Sequence, residues 1–416
     1  NLSFESLPFL KSIILADDAP QAGMMSFNEL FDRANEISDA KLSRIKAEQD
    51  CHDVINMQYT SGTTGFPKGV MLTHYNIVNN GKSIGECMNF SHEDKLCIPV
   101  PFFHCFGLVL GIMASLTHGA AMVPLESYRP IDFLRAIDEE ECTAIHGVPT
   151  MFIAALEHEE FDKFKFPKLR TGIMAGSPCP IKVMQLVVDK MGAKEITITY
   201  GQTEASPATT MTTIDDSLEI RVSTVGKAMP HVETKIINPE TGETLGPNQQ
   251  GEFCARGYNI MKGYYKMEDA TAQAIDEDGW LHSGDLAMVD EDGYYKITGR
   301  IKDMIIRGGE NIYPKELEEF MYTIHEVQDV QVIGVPSEQY GEEIMACIVL
   351  RQGMTTTADE IKRIVGENMA RHKVPSYVEF MDEFPMTASG KIQKYKLRAW
   401  AIDKLNLKKA AEIETA

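Results

Sequence analysis

The sequence predicts an α/β protein. Its large amino-terminal region carries parallel sheets with flanking helices, then comes an antiparallel, barrel-like β region, and last a small α+β unit. Three observations carry this. From Val54 to Met191, apolar runs of strand length alternate with helix-length amphipathic stretches, the pattern of strands joined by crossover helices. Around Ser217 the helices drop out, and strand-like runs are joined by turns such as Glu240-Thr241-Gly242 and Glu291-Asp292-Gly293. After Arg300 the alternation restarts on a smaller scale. Residues 1–216, 217–300 and 301–416 are therefore read as the α/β part, the β-rich subdomain and the carboxyl-terminal unit.

In chain order, Phe27, Leu30, Phe31, Ala34 and Ile37 fall at helical spacing. Strand-like runs follow at 54–59, 96–100, 120–123, 143–146, 172–175 and 196–200, with helix-like stretches at 74–88, 107–116, 131–140, 150–158 and 181–191 between them. In parallel sheets ligands sit at the carboxyl ends of strands. The β-rich region reads as strands at 232–237, 251–256, 286–289 and 294–297. The last unit reads as a helix at 314–322, strands at 327–335 and 344–350, a helix at 358–369 and a strand at 377–380. The boundary at 300–302 is a plausible hinge.

Composition narrows the function. At 416 residues and 44% apolar, the chain can build about two or three cored domains. A net charge of -21 disfavours nucleic acid and anionic membranes as partners. Eight scattered cysteines without a C-x-x-C pair imply reduced thiols, a cytosolic or organelle-matrix compartment, and no structural zinc. The longest apolar run, 105–116, is too short for a membrane span.

The densest chemistry lies in Thr60-Ser61-Gly62-Thr63-Thr64-Gly65-Phe66-Pro67-Lys68-Gly69. Hydroxyls and bare glycine amides can surround phosphate oxygens, and lysine adds a point charge. It is not a Walker A loop, because Lys68 lies between Pro67 and Gly69. Glycine by glycine it is an ordinary polar turn. As a whole string it closely resembles the phosphate loop of the adenylate-forming enzymes: acyl-CoA synthetases, luciferases and peptide-synthetase adenylation domains.

Further motifs agree, each bland when taken alone. Pro101-Phe102-Phe103-His104-Cys105-Phe106-Gly107 resembles the family's Pro-x-x-His-x-x-Gly, which implies that His104 lines the carboxylate end of the acyl pocket. Ala175-Gly176-Ser177 resembles the segment that packs against adenine. Tyr200-Gly201-Gln202-Thr203-Glu204 resembles aromatic-Gly-x-Thr-Glu: the tyrosine can stack on a purine, Thr203 can bond a phosphate oxygen, and Glu204 is a hard ligand for Mg²⁺. Asp285 and Arg300 fit the family's ribose pair. Gly390-Lys391 resembles the motif whose lysine reaches from a mobile carboxyl-terminal domain to the acid carboxylate and α-phosphate, although Lys394, Lys396 and Arg398 also allow a solvated basic tail. Lys302 matches the family's hinge. Gly308 and Gly309, in a stretch read as extended, match the segment beside the pantetheine tunnel.

The resemblance runs from Val54 to Leu397 and is closest to medium-chain fatty acyl-CoA synthetases. It implies an ATP-dependent acid:CoA ligase using ATP, Mg²⁺ and coenzyme A, with a fatty acid as substrate. An aromatic acid stays open, as do loading of a carrier protein and an inactive nucleotide-binding fragment. Family members carry a large amino-terminal segment. Here only residues 1–53 precede the motif region, so part of the first domain is expected to be missing.

Overall fold

The computed structural model describes residues 7–17, 21–61, 67–176, 179, 181–387 and 392–411. Two compact units emerge, residues 1–53 and 54–416. In the first, the stretch expected as one amphipathic helix is shorter. The helix Phe27–Asp32 is closed at its start by a capping box between Ser26 and Glu29, then tightens into a 3₁₀ turn, Arg33–Glu36. Ser38 caps a new helix, Asp39–Ala47, through the Lys41 amide.

The second unit opens with a correction. The strand expected at 54–59 does not join the parallel sheet; Val54–Ser61 pairs antiparallel with Pro67–Thr73, Thr60 opposite Lys68. Gly263–Tyr264 adds a third strand, Tyr264 opposite Val70. Only then does Thr73 cap the helix His74–Cys87.

A seven-stranded sheet holds the core of this region. Its order is Lys227–Ala228, Ala208–Met211, Glu195–Gly201, Thr171–Met174, Ala144–Gly147, Lys95–Ile98 and Ala121–Pro124. The last five are parallel, as the alternation implies; the first two are antiparallel additions. Strands such as Thr171–Met174 and Ala144–Gly147 are buried throughout, as expected of a sheet covered on both faces.

Next, Val232–Ile237, Gly251–Gly257, Leu281–Val289 and Tyr295–Arg300 form an antiparallel sheet in that order. Beyond it, the hairpin Val327–Ser337 and Gly341–Leu350 carries Tyr377–Phe380 in parallel on one edge. Helices Pro314–Met321, Ala358–Asn368 and Lys394–Lys404 accompany this sheet. The basic stretch after Gly390 is thus not a solvated tail. Leu397 and Ala401 are buried, Lys394 donates to Glu318 and to the Val332 carbonyl, and Arg398 pairs with Glu342.

Candidate active site

The strand Glu195–Gly201 delivers the first group. At its carboxyl end the Tyr200 hydroxyl donates to Asp285 Oδ2 at 2.7 Å. Asp285 is only 4% exposed and faces Arg300 across the antiparallel pair. Arg300 Nε donates to Oδ1 at 2.8 Å, so each carboxylate oxygen has its own donor. Burial, then the Asp285 charge, push the Tyr200 phenol well above its ordinary range, so it stays a neutral donor. The same carboxylate holds the Arg300 guanidinium above its usual value. Lys302, in the 3₁₀ turn Ile301–Asp303, is lowered by desolvation and then by Arg300.

A second group forms just beyond. Gly201 has no room for a side chain, since a Cβ would lie 1.7 Å from the Pro207 carbonyl oxygen. The chain doubles back there, the Gln202 amide donating to that oxygen at 3.0 Å. Thr203, buried, opens the 3₁₀ turn Thr203–Ala205. Glu204 then takes a 2.8 Å hydrogen bond on Oε1 from the Tyr264 hydroxyl. Lys68 Nζ lies 4.8 Å from the centre of the Tyr264 ring. Tyr264 therefore joins Lys68 to Glu204, the carboxylate expected to hold a metal. Sequence reasoning missed it, because the strand pairing that places it spans nearly two hundred residues. A single hard carboxylate oriented by a hydroxyl suits Mg²⁺, which relies on phosphates and water for most of its ligands. Thr60 lies opposite Lys68 on the ribbon. Gly62, Thr63, Thr64 and Gly65 lie outside the described residues, as do Ser177, Lys391 and the side chain of Ser61.

Neighbouring strands contribute from the same edge of the sheet. Ala175 follows Thr171–Met174, is buried, and donates its amide to the Gly147 carbonyl at 3.2 Å. Gly176 has φ +92° and would press a Cβ to 3.0 Å from Val148. His104 lies in the connection after Lys95–Ile98, where Nδ1 accepts the Phe106 amide at 3.1 Å. The neutral ring then carries its proton on Nε2, a donor suited to a carboxylate.

The segment expected as an α-helix after His104 is a π-helix, Phe106–Met113. Such turns are rare and concentrate at functional sites. Its start is tight, with a Gly107 Cβ falling 2.3 Å from the Pro101 carbonyl. Beneath it lies His146, fully buried, with Nε2 2.9 Å from the Leu110 carbonyl and its ring 5.7 Å from Phe106. Burial drives its pKa down to about 4.

Gly308 and Gly309 are not in an extended stretch. They form the two-residue turn of the hairpin Ile305–Arg307 and Glu310–Ile312, with φ +60° and +90°. Two consecutive positive φ values select glycine there.

Residues 5–265 match the AMP-binding enzyme family, and residues 316–391 match the AMP-binding enzyme carboxyl-terminal domain. The chain belongs to the AMP-binding enzyme family. YngI of Bacillus subtilis, named provisionally as an acyl-CoA synthetase, is 55% identical over 98% of this chain and 74% of its own. The mitochondrial medium-chain acyl-CoA ligase ACSF2 of Bos taurus is 42% identical over 98% of this chain and 67% of its own. Acyl-CoA ligase SID4 of Ajellomyces capsulatus is 48% identical over 86% of this chain and 63% of its own. Among solved structures, the anthranilate CoA ligase AuaEII with anthranoyl-AMP superposes with a TM-score of 0.85, at 28% identity over 96% of this chain and 75% of that one. ATP-bound MatB from Rhodopseudomonas palustris gives 0.79 at 32% identity over 86% and 70%. The family places this chain among AMP-forming acyl-CoA ligases, which act on a carboxylic acid, ATP with Mg²⁺, and CoA. Among the described residues no helix is long and apolar enough to cross a membrane.

Proposed function

We propose that this chain activates a medium-chain fatty acid, first as its acyl-adenylate with loss of pyrophosphate, then as its CoA thioester with loss of AMP. The observation that carries this is the linked arrangement Lys68–Tyr264–Glu204 and Tyr200–Asp285–Arg300, with one strand end feeding both. Asp285 accepts from the ribose hydroxyls while Tyr200 and Arg300 hold its orientation. Thr60 to Lys68, with Thr203, bind the phosphates. Glu204 holds Mg²⁺, which neutralises phosphate charge. Ala175, Gly176 and Ser177 pack against adenine, and His104 Nε2 meets the acid carboxylate. Lys391 brings positive charge to the carboxylate and α-phosphate, two anions that repel unless fixed charge stands between them. Lys302 serves as the hinge, and the Gly308-Gly309 turn borders the CoA channel.

The preference for a fatty acid rests on the pocket wall. Phe106 to Met113 and Val148 to Leu156 carry no ionised side chain that would bind a second carboxylate, and bovine ACSF2 is named for medium-chain acids. Burying each CH₂ of an acyl chain contributes about 0.8 kcal/mol, so KM should fall with chain length until the pocket is full.

The test is pyrophosphate release with Mg·ATP against a panel of fatty and aromatic acids, with and without CoA. Medium-chain acids should give the highest kcat/KM, acyl-CoA and AMP should appear only with CoA, and Lys391→Ala should lose on the order of 100-fold or more in release. Release without acyl-CoA formation would redirect the reading to a carrier-protein acceptor. Nucleotide binding by folded protein without release with any acid would overturn it.

A further inference from the structure

On the antiparallel sheet, across the strands Gly251–Gly257 and Leu281–Val289, three metal-ligating side chains of different type converge. Glu252 and Cys254 are two apart on the strand Gly251–Gly257, so they share a face, and His282 lies directly opposite Cys254 on Leu281–Val289. Their donor atoms all lie within 4.8 Å of one another. His282 Nδ1 is 3.7 Å from Cys254 Sγ and 3.0 Å from Glu252 Oε2. A tetrahedral zinc ion, with bonds of roughly 2.3 Å to sulfur and 2.0 Å to nitrogen or oxygen, needs donor separations of about 3.3–3.6 Å. The two edges at His282, 3.7 Å to sulfur and 3.0 Å to oxygen, lie close to that range, and the Cys254–Glu252 edge is within 4.8 Å.

The surroundings orient the donors. Glu252 Oε1 is occupied by the Gly284 amide at 3.0 Å, which turns Oε2 toward the imidazole. Asp276 Oδ1 takes the amides of Asp278 and Trp280, while Oδ2 stands 3.5 Å from His282 Nε2. That carboxylate would keep the ring proton on Nε2 and present the Nδ1 lone pair, the usual outer partner of a metal-bound histidine. Cys254 is fully buried, whereas the His282 side chain is 29% exposed and gives the solvent side.

We propose that Glu252, Cys254 and His282 form a site for Zn²⁺ or a similar borderline-soft ion, with a fourth position left for water. Binding displaces the Cys254 thiol proton to solvent and moves the His282 proton to Nε2, so one proton leaves per ion bound. A thiolate and an imidazole discriminate against Mg²⁺, so this site is separate from the one at Glu204. It borders the bulge that positions Asp285, because Glu252 also holds the Gly284 amide.

The experiment uses the whole chain, stripped with a chelator and titrated with Zn²⁺ against a chromophoric competitor, with Co²⁺ as a spectroscopic probe. One ion should bind, with a near-ultraviolet thiolate-to-cobalt charge-transfer band, and tenfold excess Mg²⁺ should not displace it. Cys254→Ser and His282→Gln should weaken binding at least tenfold and abolish or shift the band. Binding should persist in Cys51→Ser/His52→Gln, which removes the exposed Asp50-Cys51-His52 group. Should the Cys254 and His282 variants fail to fold, X-ray absorption of the zinc complex of Cys51→Ser/His52→Gln must show one sulfur in the coordination shell. No stoichiometric ion, a band that survives Cys254→Ser, or a shell without sulfur would each overturn the assignment.

Discussion

His146 is a fully buried imidazole between two carbonyls, 3.1 Å from Ile145 on Nδ1 and 2.9 Å from Leu110 on Nε2. A neutral ring has one proton, so only one of these can be a hydrogen bond. Charging the ring would serve both, yet burial outweighs that gain and holds the pKa at about 4 against an ordinary 6.5. Because the unfolded chain binds this proton more readily, the group's contribution to stability is complete above pH 6.5 and is lost as pH falls toward 4. Urea unfolding at pH 7 and pH 5 should show a loss of about 2 kcal/mol from this group. In His146→Gln that part of the pH dependence should vanish, whatever the variant's stability at pH 7. Equal slopes in the two proteins would show that the ring is not held neutral.

Elements bring such residues to their places, and the turn after the strand Glu195–Gly201 leaves least latitude. Gly201→Ala would set a methyl 1.7 Å from the Pro207 carbonyl oxygen, so the backbone must move. Overpacking of this kind costs roughly 1–3 kcal/mol. The displacement falls between Tyr200 and Glu204, the two anchors of the proposed nucleotide groups. We therefore expect Gly201→Ala to fold with a lower unfolding midpoint in urea and to raise KM for ATP at least about tenfold, the cost of roughly one lost hydrogen bond to a charged group. An unaltered KM would mean that the turn does not position the site. The π-helix Phe106–Met113 makes the same point from the other direction. Its apolar residues read as an ordinary helix, and only packing on His146 and the Gly107 approach to Pro101 reveal the wider turn.

Across the unit 54–416, the carboxyl-terminal sheet is tied to the preceding β sheet by Lys315. Its Nζ donates to the Ile297 carbonyl at 2.5 Å, with Glu319 at 3.6 Å, and burial lowers its pKa. These residues flank the expected hinge at Lys302. Lys315→Met keeps the apolar stem and removes the donor, which should raise local opening of 301–313 by on the order of 1 kcal/mol, or about fivefold. Limited proteolysis of that segment should speed by that factor while the thermal midpoint of the rest stays put. Unchanged cleavage would mean that Lys315 does not hold the segment closed.

Much of this was legible without coordinates. The strand–helix alternation through 54–200 named six strands; five are parallel neighbours in one sheet, while the first, Val54–Ser61, pairs antiparallel in another. The strings proposed to hold phosphate, ribose and metal stood out because each is a short run of a few adjacent residue types. Tertiary structure alone decided what depends on distant pairing. Tyr264 reaches Glu204 and Lys68 only because Gly263–Tyr264 pairs with Pro67–Thr73. Val54–Ser61 pairs antiparallel with Pro67–Thr73 rather than joining the parallel sheet, because its partner strand is one that no local period announces. Cys254 meets His282 by sheet register, which is why the absence of a C-x-x-C spacing carried no information about that cluster. Spacing along the chain records neighbours one turn or one strand step away. Which residues far apart in sequence come to face one another is set by burial of the sheet faces and by strand register.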